Sequence, residues 1–391
     1  MNYFKSIKNG FKLKYYINYI LVAALLAVFT VMLLTGNLRP SNATLVTQIG
    51  FSIILAVSLN LVVGFLGELS LGHAGFMCIG AYIGGFFAMK LLAAVPNKLV
   101  VLIISMLVGG IIAAVFGFII GLPSLRLKGD YLAIVTLAFG EIVRNIFKNQ
   151  SLFGGAMGLS TGSIKYDTRK APTLFIVTLI TALVMLVIIQ NLMRSKHGRA
   201  ITAIRDNEIA AKAMGINVTF YKLLAFIVSA FFAGVAGVIY AHYATPVLYT
   251  FFSYNYSIEI LVMVVLGGMG NITGSIIAAT VIPVINFVLQ KQLSGNLAAL
   301  KFLIYAIILI VIVIFGNAPA LKGIREKYSF SNLFKKKTFD PAATRDDAGS
   351  WDRIPTKIKM DEILTTEINP NESFSSDCAS DGKESGGKEN K

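Results

Sequence analysis

Apolar residues run along this chain in long blocks, separated by short breaks rich in lysine, arginine and glycine. A helix needs about 20 mainly apolar residues to cross a bilayer. Blocks of this kind at 17–35, 45–66, 69–89, 99–121, 131–147, 172–192, 220–241, 256–270, 272–290 and 301–316 predict ten transmembrane helices. Beyond about Phe315 the apolar periodicity stops, and a tail rich in Ser, Asp, Glu and Lys runs to Lys391. Such a composition predicts a disordered tail, in which Trp351, Ile354 and Ile358 offer at most one amphipathic turn. The segmentation is therefore 1–44 (N-terminus and first helix), 45–148 (first transmembrane repeat), 149–219 (linking region with the sixth helix and a polar loop), 220–316 (second repeat) and 317–391 (tail).

Composition supports this reading. The 391 residues are 55% hydrophobic and only 14% charged, against about a quarter charged in soluble proteins. A soluble enzyme is excluded, and so is disorder over most of the chain. The formal charge of +15 could suggest nucleic acid, but its position argues otherwise. Residues 1–316 hold 22 of the 35 basic residues and 7 of the 20 acidic ones, whereas the tail is neutral. Bases confined to short loops between apolar blocks follow the positive-inside rule instead.

The segment between the sixth and seventh blocks carries Arg194, Lys196, Arg199, Arg205, Lys212 and Lys222 against Asp206 and Glu208, which places it in the cytoplasm. Counting outward from it also puts Lys5 to Lys14, Arg126 and Lys128, and Lys322 to Lys337 inside, so both termini are expected to be cytoplasmic. Lys165, Arg169 and Lys170 fall outside and dissent. A cleaved signal peptide ending near Ser41-Asn42-Ala43 is the rival reading of the first block. The expected fold is an all-α polytopic membrane protein of about ten transmembrane segments, in two halves of inverted topology with glycine-broken helices.

Two blocks are interrupted by glycine. The first, Ser58 to Gly85, holds Gly64, Gly67, Gly72, Gly75, Gly80, Gly84 and Gly85; the second, Val265 to Ser275, holds Gly267, Gly268, Gly270 and Gly274. Broken helices expose backbone groups to a polar solute and point to a transport pathway. The alternative is close helix packing through small residues. Gly67, Ser70, Gly72, His73, Gly75, Gly267, Gly268 and Gly270 are the pathway candidates. Among the few membrane-level charges, Glu141 and Arg144 stand one turn apart and predict an ion pair, Glu68 reads as a wet terminal carboxylate, and Glu259 as interfacial. His73 predicts a packed, hydrogen-bonded imidazole, with a proton relay as the alternative.

No G-x-x-x-x-G-K-[ST] loop, G-x-S-x-G elbow, H-E-x-x-H motif or paired catalytic carboxylate is found, so no catalytic residue is assigned. Two distant cysteines, Cys78 and Cys378, give no disulfide framework, and His73, His197 and His242 show no metal-ligand spacing. In the polar loop, Asp206 or Asn207 can cap a short helix that Gly215 ends. Glu208 and Lys212 would form its wet face, and Ile209, Ala213 and Ile216 an apolar stripe. That stripe fits either a docking partner or the lipid surface.

The runs NLVVGFLGELSLGHAGFMCIGAY, LRLKGDYLAIVTLAFGEIVRNI, GRAITAIRDNEIAAKAMGIN and VMVVLGGMGNITGS together resemble the LivM-type permeases of branched-chain amino acid ABC importers. The resemblance covers most of residues 45–290. It implies a multi-pass permease of the bacterial inner membrane working with a second, related permease, two cytoplasmic ATPase subunits and a periplasmic or lipid-anchored binding protein. This chain would hold no cofactor, the ATP being bound by the partner subunits. The piece from Glu208 to Gly215 looks like the EAA loop through which importer permeases engage their ATPases, and it favours the docking reading. Arg205, Asp206, Glu208, Ala211, Lys212 and Gly215 are then the coupling candidates. The piece lacks the proline found downstream in EAA loops of other importer classes, and the family pattern does not include the long tail. Leucine, isoleucine or valine would move inward by alternating access. Urea, amides and other amino acids are rival solutes. An ion-coupled transporter using Glu141 or His73, and a structural scaffold with glycines for packing only, are rival classes.

Overall fold

The computed structural model describes residues 40–292 apart from 126, 128 and 167–172, together with Tyr19, Val22 and Ile310. These residues belong to the first of two units of the chain, Met1–Ala318. Nearly all of the first block, the block 301–316, the basic clusters at the two chain ends, Arg126, Lys128, Arg169, Lys170 and the polar tail lie outside the described residues.

The described residues form helices and no sheet; two single residues, Leu159 and Val247, make one antiparallel bridge. α1 (Pro40–Asn60) continues as a π-helical turn, Leu61–Leu66. α2 (His73–Ile79) passes through a second π turn, Gly80–Gly84, into α3 (Gly85–Ala94). Then come α4 (Lys98–Ser124), α5 (Asp130–Asn149), α6 (Thr173–Arg194), α7 (Lys196–Asp206), α8 (Glu208–Ala213), α9 (Val218–Tyr243), α10 (Tyr254–Gly267) and α11 (Ile272–Gln292).

Six of the described helical stretches are long and apolar enough to cross a membrane: Thr44–Leu66, His73–Ala94, Lys98–Ser124, Thr173–Arg194, Val218–Tyr243 and Ile272–Leu289. They coincide with six of the ten expected blocks. α5 forms where the fifth span was expected but is not among the six, because Asp130, Glu141, Arg144 and Lys148 interrupt its apolar sequence. α10, expected over 256–270, is a shorter apolar helix of 14 residues that stops at Gly267.

α1 sits at the centre and packs against α6, α9, α10 and α11. Burial on all sides explains why its sequence shows no polar stripe. The longest seam joins α4 to α9. Gly109, Ala113, Gly117 and Gly121 recur every fourth residue on the α4 side of it, and a β-carbon at Gly234 of α9 would stand 2.7 Å from the Gly109 carbonyl oxygen. Small residues at this spacing let two helix backbones come close where lipid gives no hydrophobic drive for association.

The helices alternate in direction, and their connections gather at two ends. At one end, Tyr82 donates to the Val247 carbonyl (3.0 Å), Thr161 to the Ala244 carbonyl (2.6 Å), and the Tyr166 amide to the His242 carbonyl (3.2 Å). At the other end, α7 lies beside the turn after α1, and its Arg205 reaches the turn between α10 and α11. Gly64 and Gly67 of the first glycine break, and the second break as a whole, are therefore at the same end as the polar loop.

Candidate functional site

The two glycine-rich breaks, some 200 residues apart in sequence, touch. Asn60, the last residue of α1 proper, is fully buried. Its side-chain oxygen accepts from the Gly270 amide (2.9 Å), and its amide nitrogen donates to the Ser275 hydroxyl (3.0 Å). A β-carbon on Gly64 would collide with both the Gly270 nitrogen and the Asn60 oxygen. Gly67 ends the π turn at φ +82°, and Gly268 and Gly270 turn the chain between α10 and α11 at φ +88° and +78°. Glycine takes such conformations with the least strain of any residue. A β-carbon on Gly267 would press into the Gly274–Ser275 backbone. At Gly64 and Gly267 the glycines allow close approach, and at Gly67, Gly268 and Gly270 they allow the turns.

Arg205, from the last turn of α7, reaches into this junction. Its guanidinium donates to the Gly64 carbonyl (3.1 Å), its stem lies over Gly67, and a β-carbon on Gly270 would stand 3.5 Å from its Nη1. Sequence placed Gly67 and Gly270 on the pathway and Arg205 in the coupling loop; the structure puts all three in one contact.

Ser70, Gly72, His73 and Gly75 form a second locality, at the start of α2. Ser70 and His73 are each about 2% exposed. The His73 Nε2 and Ser58 hydroxyl are hydrogen-bonded at 2.9 Å, and Ser58 donates to the Leu55 carbonyl (2.9 Å), so the imidazole is packed and bonded as the favoured reading expected. Lacking a side-chain cap of its own, this helix start borrows from its neighbours: the Leu71 amide donates to Thr136 of α5 (3.0 Å) and the Ala74 amide to Ser257 of α10 (3.1 Å). A β-carbon on Gly72 would strike the Thr136 carbonyl, and one on Gly75 would stand 2.8 Å from the Gly140 Cα. Here the glycines serve close packing.

The polar loop forms two short helices. Of the two possible caps for α8, Asn207 serves, its side-chain oxygen accepting from the Ile209 and Ala210 amides at 3.0 Å each. Asp206 instead pairs with Arg205 at 3.0 Å on the exposed surface. Gly215 follows the helix at φ +80°. The expected faces of α8 hold in part: Lys212 is exposed and Ile216 packs on the core, but Ala211 is buried, Glu208 turns inward to 23% side-chain exposure, and Ile209 and Met214 stand out at 78% and 82%. The reason is Lys222 of α9, a buried amine that bonds Glu68 and also Glu208 (3.3 Å) and so draws Glu208 in. Lys212 stays near Glu208 at 3.7 Å but is exposed.

Glu68 is thus not a wet terminal carboxylate; its side chain is 13% exposed and paired. Glu141 and Arg144 pair at 2.7 Å, and Glu141 also accepts from the Tyr254 amide (2.9 Å) at the start of α10. Glu259 accepts from Asn286 (2.6 Å), tying α10 to α11. Sequence reasoning missed Asn60 and Ser275, whose signal was a polar residue inside an apolar block on each side of a glycine break. It also treated Lys222 as one base among many, although it lies at the edge of a spanning block. No group of three or more metal-binding side chains occurs among the described residues.

Residues 41–313 match the family described as the permease component of the branched-chain amino acid transport system. The chain belongs to this family. Among its relatives, the high-affinity branched-chain amino acid transport system permease protein LivM of Salmonella typhimurium is 36% identical over 59% of this chain and 60% of its own length. The LivM protein of Escherichia coli is 32% identical over 72% of this chain and 70% of its own length. More distant are the LivH permease protein of Escherichia coli (24% identical, 62% of this chain, 82% of its own) and the D-allose transport system permease protein AlsC of the same organism (27%, 57% and 66%). No solved structure matches this permease-family chain. The matched stretch contains both glycine breaks, the Arg205 contact and the whole of α8.

Proposed function

We propose that this chain is a permease subunit of an ABC importer that carries branched-chain amino acids inward by alternating access. The observation that carries the reading is the contact of Arg205 with Gly64, Gly67 and Gly270: a polar loop with exposed apolar residues is fastened directly to the place where two broken helices meet. Broken helices at such a junction are the movable parts of a transport pathway, and exposed Ile209 and Met214 fit the surface of a soluble partner. That partner is an ATPase subunit, present twice, which binds the ATP; the chain needs no cofactor of its own. A second, related permease and a periplasmic or lipid-anchored binding protein complete the assembly in the bacterial inner membrane. Ten segments in two halves of opposite sense, with both termini and α7–α8 in the cytoplasm, agree with the basic loops other than that of Lys165, Arg169 and Lys170. The pathway runs past Gly67, Ser70, Gly72, His73, Gly75, Gly267, Gly268 and Gly270. Arg205, Asp206, Glu208, Ala211, Lys212 and Gly215 form the coupling segment.

The relationship to a protein named for D-allose transport supports a second reading, a sugar or other small polar solute as the cargo. The reconstituted complex, challenged with leucine, isoleucine, valine, other amino acids, urea, amides and D-allose as competitors of ATP-driven uptake, separates the two. Strongest competition by the three branched-chain amino acids is expected. Uptake that continues without ATP but collapses with a proton uncoupler would overturn the importer reading itself.

A further inference from the structure

Lys222 is the most deeply buried of the described charged side chains that form ion pairs, at 4% exposure. A buried ammonium is unfavourable unless its partners are well placed. Its two carboxylates come from separate parts of the chain. Glu68 directly follows Gly67, where the π turn of α1 ends; Glu208 is the first residue of α8. Three residues before Glu208, Arg205 grips the Gly64 carbonyl. Two cations therefore fasten the stretch 64–68 to the stretch 205–208. Asn60 and Gly270 join the stretch 64–68 to the second break.

We propose that Lys222 is the positioning residue through which movement of α8 reaches the glycine junction. The amine meets Glu208 only while α8 holds its present place. When α8 shifts, Lys222 keeps Glu68 alone, Arg205 is drawn off Gly64, and the 64–68 turn is free to move away from Gly270. The position of α8 and the conformation of the turn are thus linked, and the linkage is reciprocal. This inference rests on the importer reading and says which residues carry the stroke within it.

The test uses the complete reconstituted complex and measures solute molecules moved per ATP hydrolysed. Glu68→Gln and Glu208→Gln keep side-chain volume and each remove one charge that Lys222 meets; Lys222→Met keeps the stem and removes the amine. In the assembled complex each variant is expected to hydrolyse ATP while the transport ratio falls at least about fivefold. The double variant Glu68→Gln/Lys222→Met is expected to lose no more than Lys222→Met alone, because both remove one interaction. Lys222→Arg should recover part of the ratio. A purely structural role would lower the yield of complex, with transport and hydrolysis falling in parallel, and that result or an unchanged ratio overturns the proposal. If Lys222→Met does not assemble, the two isosteric glutamine variants decide by the same ratio. Absence of ATP-driven uptake in the unsubstituted complex would instead sink the importer reading.

Discussion

Gly64→Ala tests whether the two glycine breaks meet as closely as the structure places them. The added methyl would overlap the Gly270 nitrogen and the Asn60 side-chain oxygen, so the two breaks must part by on the order of 1 Å to regain ordinary contact. Parting lengthens the Asn60–Gly270 hydrogen bond, now 2.9 Å, and pulls the Gly64 carbonyl from Arg205, now at 3.1 Å. A neutral hydrogen bond contributes about 1 kcal/mol and one to a charged group about 1.5–3 kcal/mol. Overpacking adds about 1–3 kcal/mol. A loss of about 3.5–7 kcal/mol follows, a drop in melting temperature of roughly 4–9 °C for a chain of this size. Gly162→Ala is the matched control, since a β-carbon there meets no atom within 4 Å and its φ is not positive. Both variants are melted in detergent and assayed for ATP-driven uptake in vesicles. Gly64→Ala should melt lower and transport poorly, while Gly162→Ala behaves as the unsubstituted protein. Equal melting and equal uptake for the two would refute the geometry of the junction.

At Gly215, where φ is +80° with open space around the Cα, the limit is conformational rather than steric. Gly215→Asn should keep ATPase co-purification because asparagine tolerates the left-handed region, and Gly215→Val should lose it at a cost of about 1–2 kcal/mol; retention by the valine variant counts against this. Glu141→Ala removes both the Arg144 partner and the acceptor for the Tyr254 amide. Since each member of the pair is about a quarter exposed, a loss of about 1–3 kcal/mol is expected. Glu141→Gln, which can still accept from Tyr254, should lose less, and identical melting of the two variants would show that the Tyr254 contact is unimportant.

Long apolar blocks made the spanning helices legible, because hydrophobic length is the signal a bilayer imposes. α5 was legible as a helix, but its four charges showed that length and composition need not agree. Glycine clusters named both breaks without revealing that they meet, since contact between residues 64 and 270 depends on packing around α1. The glycine roles also divided in a way composition cannot express: Gly67 and Gly270 take left-handed turns, whereas Gly75 gives room to the Gly140 backbone. The faces of α8 were read from helical periodicity alone. Lys222, buried on α9, draws Glu208 inward against that pattern, and a one-dimensional pattern carries no record of a cation outside the helix.

The amide that Glu141 caps belongs to Tyr254, which follows 113 residues later. During synthesis, α5 therefore leaves the ribosome with its acidic group bonded within the helix only to Arg144, and its second partner does not yet exist. Four further helices, α6 to α9, must be made before α10 delivers that amide. Through this interval α5 is the poorest candidate for lipid among the long helices already made. That contact is thus a late event in biogenesis, and a chain truncated before residue 254 would carry its least lipid-compatible helix without it.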